Sequence, residues 1–252
     1  MVNHVKRRRP PVPGSIPDRL QMFRREVRFY REVGPHVGVR MPQCLRAEVA
    51  ADGSTILELE DLSCWTEGAD AEAAAALLGE MHSRWEAKAL ETWSWIARPD
   101  ASDLVEDLYA LTWPIVRERQ DVTGQTRLLG DRLLGRVMEA ERQAERAGVL
   151  TLTHGDASFN NMRTSTAGEI ALLDWEDFGA APGVCDLAWL LVSSVDPSEW
   201  DATLDAYGLP APIETALPAT VVQALLSLGA EDDGGADAAR WIARVDEAGR
   251  RM

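Results

Sequence analysis

The sequence predicts an α+β protein in two unequal parts: a short helix-and-hairpin segment, then a long, mostly helical segment with two short strands in its middle. Three observations predict it. Apolar residues recur at helical spacing through most of the chain. Two extended runs flank the turn residues Asp52-Gly53. Two later apolar bursts each run into a loop rich in Asp and Asn.

The first helix is expected over Asp18–Val33, with Leu20, Phe23, Val27 and Tyr30 on one face, Pro17-Asp18 as its start and Gly34-Pro35 as its stop. Strands follow at Cys44–Val49 and Thr55–Glu60. Ala69–Ala89 reads as a helix that turns Leu77, Leu78, Met81 and Trp85 to one side. Two more helices are expected at Ala101–Arg119 and Gln125–Ala147. The bursts Val149–Thr153 and Glu169–Leu173 read as strands. If a tight turn joins them, their ends lie side by side. The remainder reads as helices at Asp186–Ser194, Pro197–Tyr207, Pro218–Leu228 and Ala236–Arg250.

Composition excludes several classes. No apolar run reaches the roughly 18 residues that span a bilayer, and the basic N-terminus has no apolar stretch behind it, so no membrane partner and a cytoplasmic location are expected. Cys44, Cys64 and Cys185 are widely spaced and form no CxxC pair, which reads as reduced thiols without a zinc site. A formal net charge of −15 argues against nucleic acid and is compatible with a cationic substrate. All but two of the 26 basic residues are arginine, so the lysines Lys6 and Lys88 draw the eye.

The chemistry concentrates at the two strand–loop junctions. Asp156 and Asn161 follow the first strand and Asp174 the second. Carboxylate and amide oxygens are hard ligands of the kind Mg²⁺ takes alongside phosphate and water. Here a resemblance becomes specific. His154-Gly155-Asp156 with Asn161, then Asp174 in Leu-Leu-Asp-Trp-Glu, resembles the catalytic core of the aminoglycoside phosphotransferase and choline kinase superfamily. Gly183 and Asp186-Leu-Ala-Trp resemble that family's next helix. Leu59-Glu60-Asp61-Leu62 resembles its hinge, Leu78-x-x-Met81-His82-x-x-Trp85 its LxxLHxxWW helix, and Arg24-Arg25-Glu26-x-x-Phe29-Tyr30 its ERExxFY helix.

The resemblance implies a protein-kinase-like two-lobe fold with a reduced N-lobe at 1–62, a hinge near 60–63 and a helical C-lobe at 63–252. It implies ATP and Mg²⁺ as cofactors and transfer of the γ-phosphate to a hydroxyl of a small molecule. Asp156 would be the catalytic proton acceptor, and Asn161 and Asp174 would hold the metal. Lys6, Glu26, Glu60, Asp61 and Leu62 would serve the nucleotide, with His154 and Asp186 as structural supports. His82 reads as a core or interlobe residue, Glu176 and Asp177 as solvated loop carboxylates or, alternatively, as additions to the substrate or metal field, and Trp85, Trp93, Trp95 and Trp113 as candidates to line an acceptor pocket.

The pattern also departs from the family. Lys6 stands where the lysine paired with Glu26 belongs, yet only five residues precede it. A phosphate-covering hairpin needs about a dozen. The chain as it stands is therefore expected to lack that lid, to bind ATP weakly, and to gain about five-fold or more in activity if upstream coding sequence is restored. The free sheet edge would then favour a homodimer. A catalytically weak pseudokinase acting as a binding module is the alternative reading. A metallohydrolase built on His154 and Asp156 lacks further histidines at useful spacing.

Overall fold

The computed structural model describes residues 3–96 and 101–252. Residues 1 and 2 of the expected N-lobe and residues 97–100 lie outside them. The first part opens with β1 (Asn3–Arg8), then α1 (Ile16–Arg19) and α2 (Met22–Arg28). The single helix expected over Asp18–Val33 is in fact broken: Gln21 adopts a left-handed φ of 53° that ends α1 and starts α2. The last turn, Phe29–Val33, widens to a π-helix, and Gly34-Pro35 carries on as one 3₁₀ turn rather than stopping the chain.

Strands β2 (Cys44–Val49) and β3 (Thr55–Glu60) occupy the expected positions. Together with β1 they form an antiparallel sheet in the order β1-β3-β2, with Lys6 opposite Leu57 and a bulge between Cys44 and Arg46. Leu57 and Leu59 face inward and are buried, while α2 packs over β2 and β3. β1 is an edge strand, and its cations Lys6, Arg7 and Arg8 are the kind of charge that blunts an open edge.

The second part begins with the short strand β4 (Thr66–Glu67) and α3 (Ala71–Trp85), whose N-cap Asp70 accepts from Ala73 N at 2.9 Å. After the single turn α4 (Ala89–Thr92) come α5 (Ser102–Arg117), α6 (Gly124–Leu133) and α7 (Val137–Ala144). The helix expected over Gln125–Ala147 is two helices, because Gly135 turns at a φ of +73° between them. Strands β5 (Leu150–Thr153), β6 (Met162–Thr164), β7 (Ile170–Leu172) and β8 (Gly179–Pro182) lead to α8 (Val184–Ser194), α9 (Trp200–Tyr207), α10 (Ile213–Leu228) and α11 (Ala236–Arg251). Helix α10 is the hub: α5, α6, α7, α8 and α11 all pack on it, and its buried Leu217, Val221, Val222 and Leu225 fill the middle of this part. No helix among the described residues is long and apolar enough to cross a membrane.

The pairing of the central strands corrects the expectation of a tight turn between them. β5 pairs with β8, and β7 pairs with β6 in a separate sheet. The junctions are brought together by hydrogen bonds between loops.

Candidate active site

The site starts from two loops laced to each other. Leu173 N donates to Asn161 O at 2.8 Å, and His154 Nε2 approaches Leu173 O at 2.7 Å. His154 is fully buried and its ring lies 4.5 Å from that of Trp175. Its contacts are those of a brace between the two loops.

Asp156 stands at the loop tip with both carboxylate oxygens engaged. Asn161 Nδ2 donates to Oδ2 at 2.8 Å, and Trp189 Nε1 donates to Oδ1 at 2.5 Å. Asn161 Nδ2 also donates to Asp156 O at 3.0 Å, so its amide N–H groups are spent on Asp156. Gly155 makes the turn possible. Its φ is +85°, and a Cβ there would sit 2.2 Å from Asp177 O, so no side chain fits. Gly155→Ala is expected to destabilise the fold by about 1–3 kcal/mol and to reduce activity more than stability, since the loop carrying Asp156 must move. Thermal melting and turnover measured side by side would test this, and a parental profile in both would refute it.

Asp186 holds the same loop from below. It is buried in the first turn of α8 and accepts from His154 N at 2.6 Å and Gly155 N at 2.9 Å. His82 Nε2 meets it at 3.1 Å, and the other ring nitrogen of His82 meets Tyr207 OH at 2.7 Å. Burial pushes the Asp186 carboxyl up, but the His82 ring and the loop amide outweigh it and hold it below the ordinary carboxylate range.

Asp174 lies in the second loop with a φ of +54°, a left-handed conformation that a non-glycine residue adopts at a cost of about 1–2 kcal/mol. Aromatic packing from α2 fixes the loop there. Phe29 stacks on Trp175 at 4.3 Å, and Phe178 lies 4.8 Å from Phe29. Arg25 donates to Phe178 O and Ile96 O, both at 2.9 Å. The helix carrying Glu26 is thereby clamped onto the loop carrying Asp174.

Lys6 joins the two parts. Its Nζ lies 2.9 Å from Glu26, 2.5 Å from Asp174 and 3.3 Å from Glu176, while Arg8 reaches Glu176 at 2.5 Å. Glu176 is thus an ion-pairing member of the cluster, which corrects its reading as a solvated loop carboxylate. Burial lowers the Lys6 ammonium, but the three carboxylates more than offset this and raise it. Burial also pushes Glu26 up to about 7, against the pull of Lys6. One ligand oxygen from each of Glu26, Asp174 and Glu176 lies within 4.8 Å of the others, so the cluster gathers negative charge of the kind a divalent cation neutralises.

The crossing expected to serve as the hinge is built differently. Glu60 accepts Arg40 Nη2 on both oxygens at 2.7 Å and Gln43 N at 3.0 Å. Asp61 accepts Ser63 N at 2.8 Å, and Leu62 is buried. These two acidic side chains are spent on the crossing itself. Arg40 also ties the crossing to β7, through its own carbonyl to Leu172 N at 2.9 Å.

The tryptophans divide. Trp113 is buried, lies parallel to Tyr109 and donates to Asp131 at 3.0 Å, so it is interior packing rather than pocket wall. Trp85 and Trp93 pack on each other at 4.6 Å, and Trp85 donates to Val37 O. Trp95 lies under Arg28 at 3.9 Å. Two residues at the site escaped the sequence reading. Arg8 lies two residues beyond Lys6 on the same strand face. Trp189 lies three beyond Asp186, one helical turn along. Their spacing was the available signal.

The comparisons with known proteins bear on the family and the fold. The model of the phosphotransferase enzyme family matches residues 5–218. No curated protein matches the chain. Among solved structures, choline kinase LicA from Streptococcus pneumoniae is similar at 17% identity and a TM-score of 0.58, over 98% of this chain and 85% of that one. Aminoglycoside phosphotransferase APH(3'')-Id from Streptomyces rimosus, in complex with ADP and streptomycin, is similar at 16% identity and a TM-score of 0.60, over 89% and 86%. The amicoumacin kinase hAmiN, in complex with AMP-PNP, Ca²⁺ and Ami, is similar at 16% identity and a TM-score of 0.55, over 99% and 81%. At these identities the structures establish a shared kinase-like fold; the family model, spanning most of the residues described above, establishes that the chain belongs to the phosphotransferase enzyme family.

Proposed function

We propose that the protein transfers the γ-phosphate of ATP to a hydroxyl of a small molecule, with Asp156 as the proton acceptor. The observation that carries the reading is the pinned Asp156 carboxylate beside Asn161, on a loop bonded to the one bearing Asp174. In the transfer, the acceptor oxygen forms a bond to the γ-phosphorus, the bond from that phosphorus to the β–γ bridging oxygen breaks, and the acceptor proton passes to Asp156. Positioning and charge do most of the work in such a reaction.

The donor set fits Mg²⁺. Among the described residues, Asn161 keeps its carbonyl oxygen free of hydrogen bonds, and Asp174 sits among carboxylates that Lys6 and Arg8 offset. Asn161 and Asp174 would hold the ion, which when bound supplies charge neutralisation at the phosphates. Lys6, oriented by Glu26, is placed to turn from Asp174 to a phosphate oxygen. At the hinge, the Glu60 and Asp61 side chains are occupied and Glu60 N and Leu62 O bond to Gln43 O and Trp65 N, so a nucleotide would meet the remaining backbone groups of Asp61 and Leu62. Solved relatives carry AMP, ADP or AMP-PNP, which supports a nucleotide as donor. The acidic balance of the chain favours a cationic acceptor.

The test is direct. ADP release from Mg·ATP is measured against a panel of choline, 1-amino-2-propanol, streptomycin and a macrolide, with phosphorylated product detected by mass spectrometry. A product mass increased by one phosphate on at least one acceptor is expected. ATP binding without transfer to any hydroxyl would leave the inert binding module as the better reading.

A further inference from the structure

Helix α8 presents Asp186 and Trp189 three residues apart, on one face. Asp186 secures the backbone of the catalytic loop, through His154 N and Gly155 N. Trp189 secures the side chain at its tip, donating its indole N–H to Asp156 Oδ1 at 2.5 Å. The indole is itself held from behind. Trp241 of α11 lies 5.9 Å away, ring to ring. One turn further along α11, Arg244 donates to the carbonyls of Ser193, Ser194 and Val195 at the end of α8, at 2.7, 2.7 and 3.1 Å. Helix α11 therefore fixes α8, and α8 fixes both the backbone and the carboxylate of the loop.

We propose that Trp189 is a positioning residue for phosphate transfer, holding Asp156 in the one rotamer that faces the acceptor hydroxyl. This rests on the reading of Asp156 as proton acceptor. An indole suits the task because it donates only and takes no proton, so it orients the carboxylate without competing for the acceptor's proton. With Asn161 on one oxygen and Trp189 on the other, rotation about the Asp156 side chain breaks at least one charge-assisted bond. The remaining lone pairs stay open to the acceptor.

Trp189→Phe keeps the ring against Trp241 and deletes the N–H. With Mg·ATP and the best acceptor of the panel, kcat is expected to fall about tenfold to a hundredfold, while acceptor KM stays within about twofold. In an Asp156→Ala background the same substitution should bring no further loss, because the N–H then has no carboxylate to hold. An equal loss in both backgrounds would mark Trp189 as structural packing and overturn the proposal, as would a parental kcat in Trp189→Phe. Parental activity in Asp156→Ala would instead sink the reading underneath. Should Trp189→Phe fail to fold, the Trp189 indole N–H resonance of the parent decides. It is expected to move upfield in Asp156→Ala, and a resonance indifferent to Asp156 overturns the inference.

Discussion

Asp156→Ala is expected to reduce phosphate transfer by about 10²–10⁴-fold while leaving nucleotide affinity within about twofold. The separation follows from where the groups sit. Asp156 bonds to Asn161 and Trp189, whereas the cluster proposed to meet phosphates is Lys6 on the sheet, Glu26 on α2, and Asp174 and Glu176 on the other loop. Removing Asp156 takes away the proposed proton acceptor and leaves that cluster whole. Asp156→Asn sharpens the experiment, because it preserves shape while removing the negative charge, although its amide N–H then faces one of the two donors, Asn161 Nδ2 or Trp189 Nε1. Turnover is read by ADP release and affinity by fluorescence titration with a nucleotide analogue. A kcat for either variant close to the parent's would eliminate Asp156 as the base.

Asp186→Ala is expected to destabilise the fold by about 3–5 kcal/mol, because one buried carboxylate serves two loop amides and a histidine. For a chain of this size that lowers Tm by about 6–20 °C. The same carboxylate predicts a pH dependence whose sign can be worked out. Its folded-state pKa lies below the unfolded value of about 4. Its contribution is therefore fully present above that unfolded value and is lost as pH falls through the lower folded one. Melting curves from neutral pH downward should show the parent's advantage over Asp186→Asn shrinking below about pH 4. An advantage that stayed constant into strong acid would contradict the ionised role assigned to Asp186.

Much of the site could be read from residue order because its chemistry is local in sequence. His154, Gly155, Asp156 and Asn161 sit within one loop, and the apolar strand before them announces where that loop begins. The hairpin was legible for the same reason, as Asp52-Gly53 encodes its own turn. Helix limits were harder. Gln21 in a left-handed conformation carries no compositional mark, and Gly135 breaks a helix that apolar spacing carries straight through. Glu176 illustrates the opposite error: a loop carboxylate beside a tryptophan reads as solvated until Lys6 and Arg8, some 168 to 170 residues away, come to meet it.

What the sequence determined by itself was the family and the order of the candidate site residues, since their motifs are local runs of oxygen-bearing side chains at short spacing. What only the tertiary structure decided was their mutual orientation. β5 and β7 do not pair, so it is the bonds from Leu173 to Asn161 and His154 that join their loops, and Phe29 on Trp175 that aims Asp174 at Lys6. The indole on Asp156 belongs to the same category. Contacts of this kind come from packing between distant elements, and helical or strand periodicity encodes which face a residue occupies, never which partner waits there.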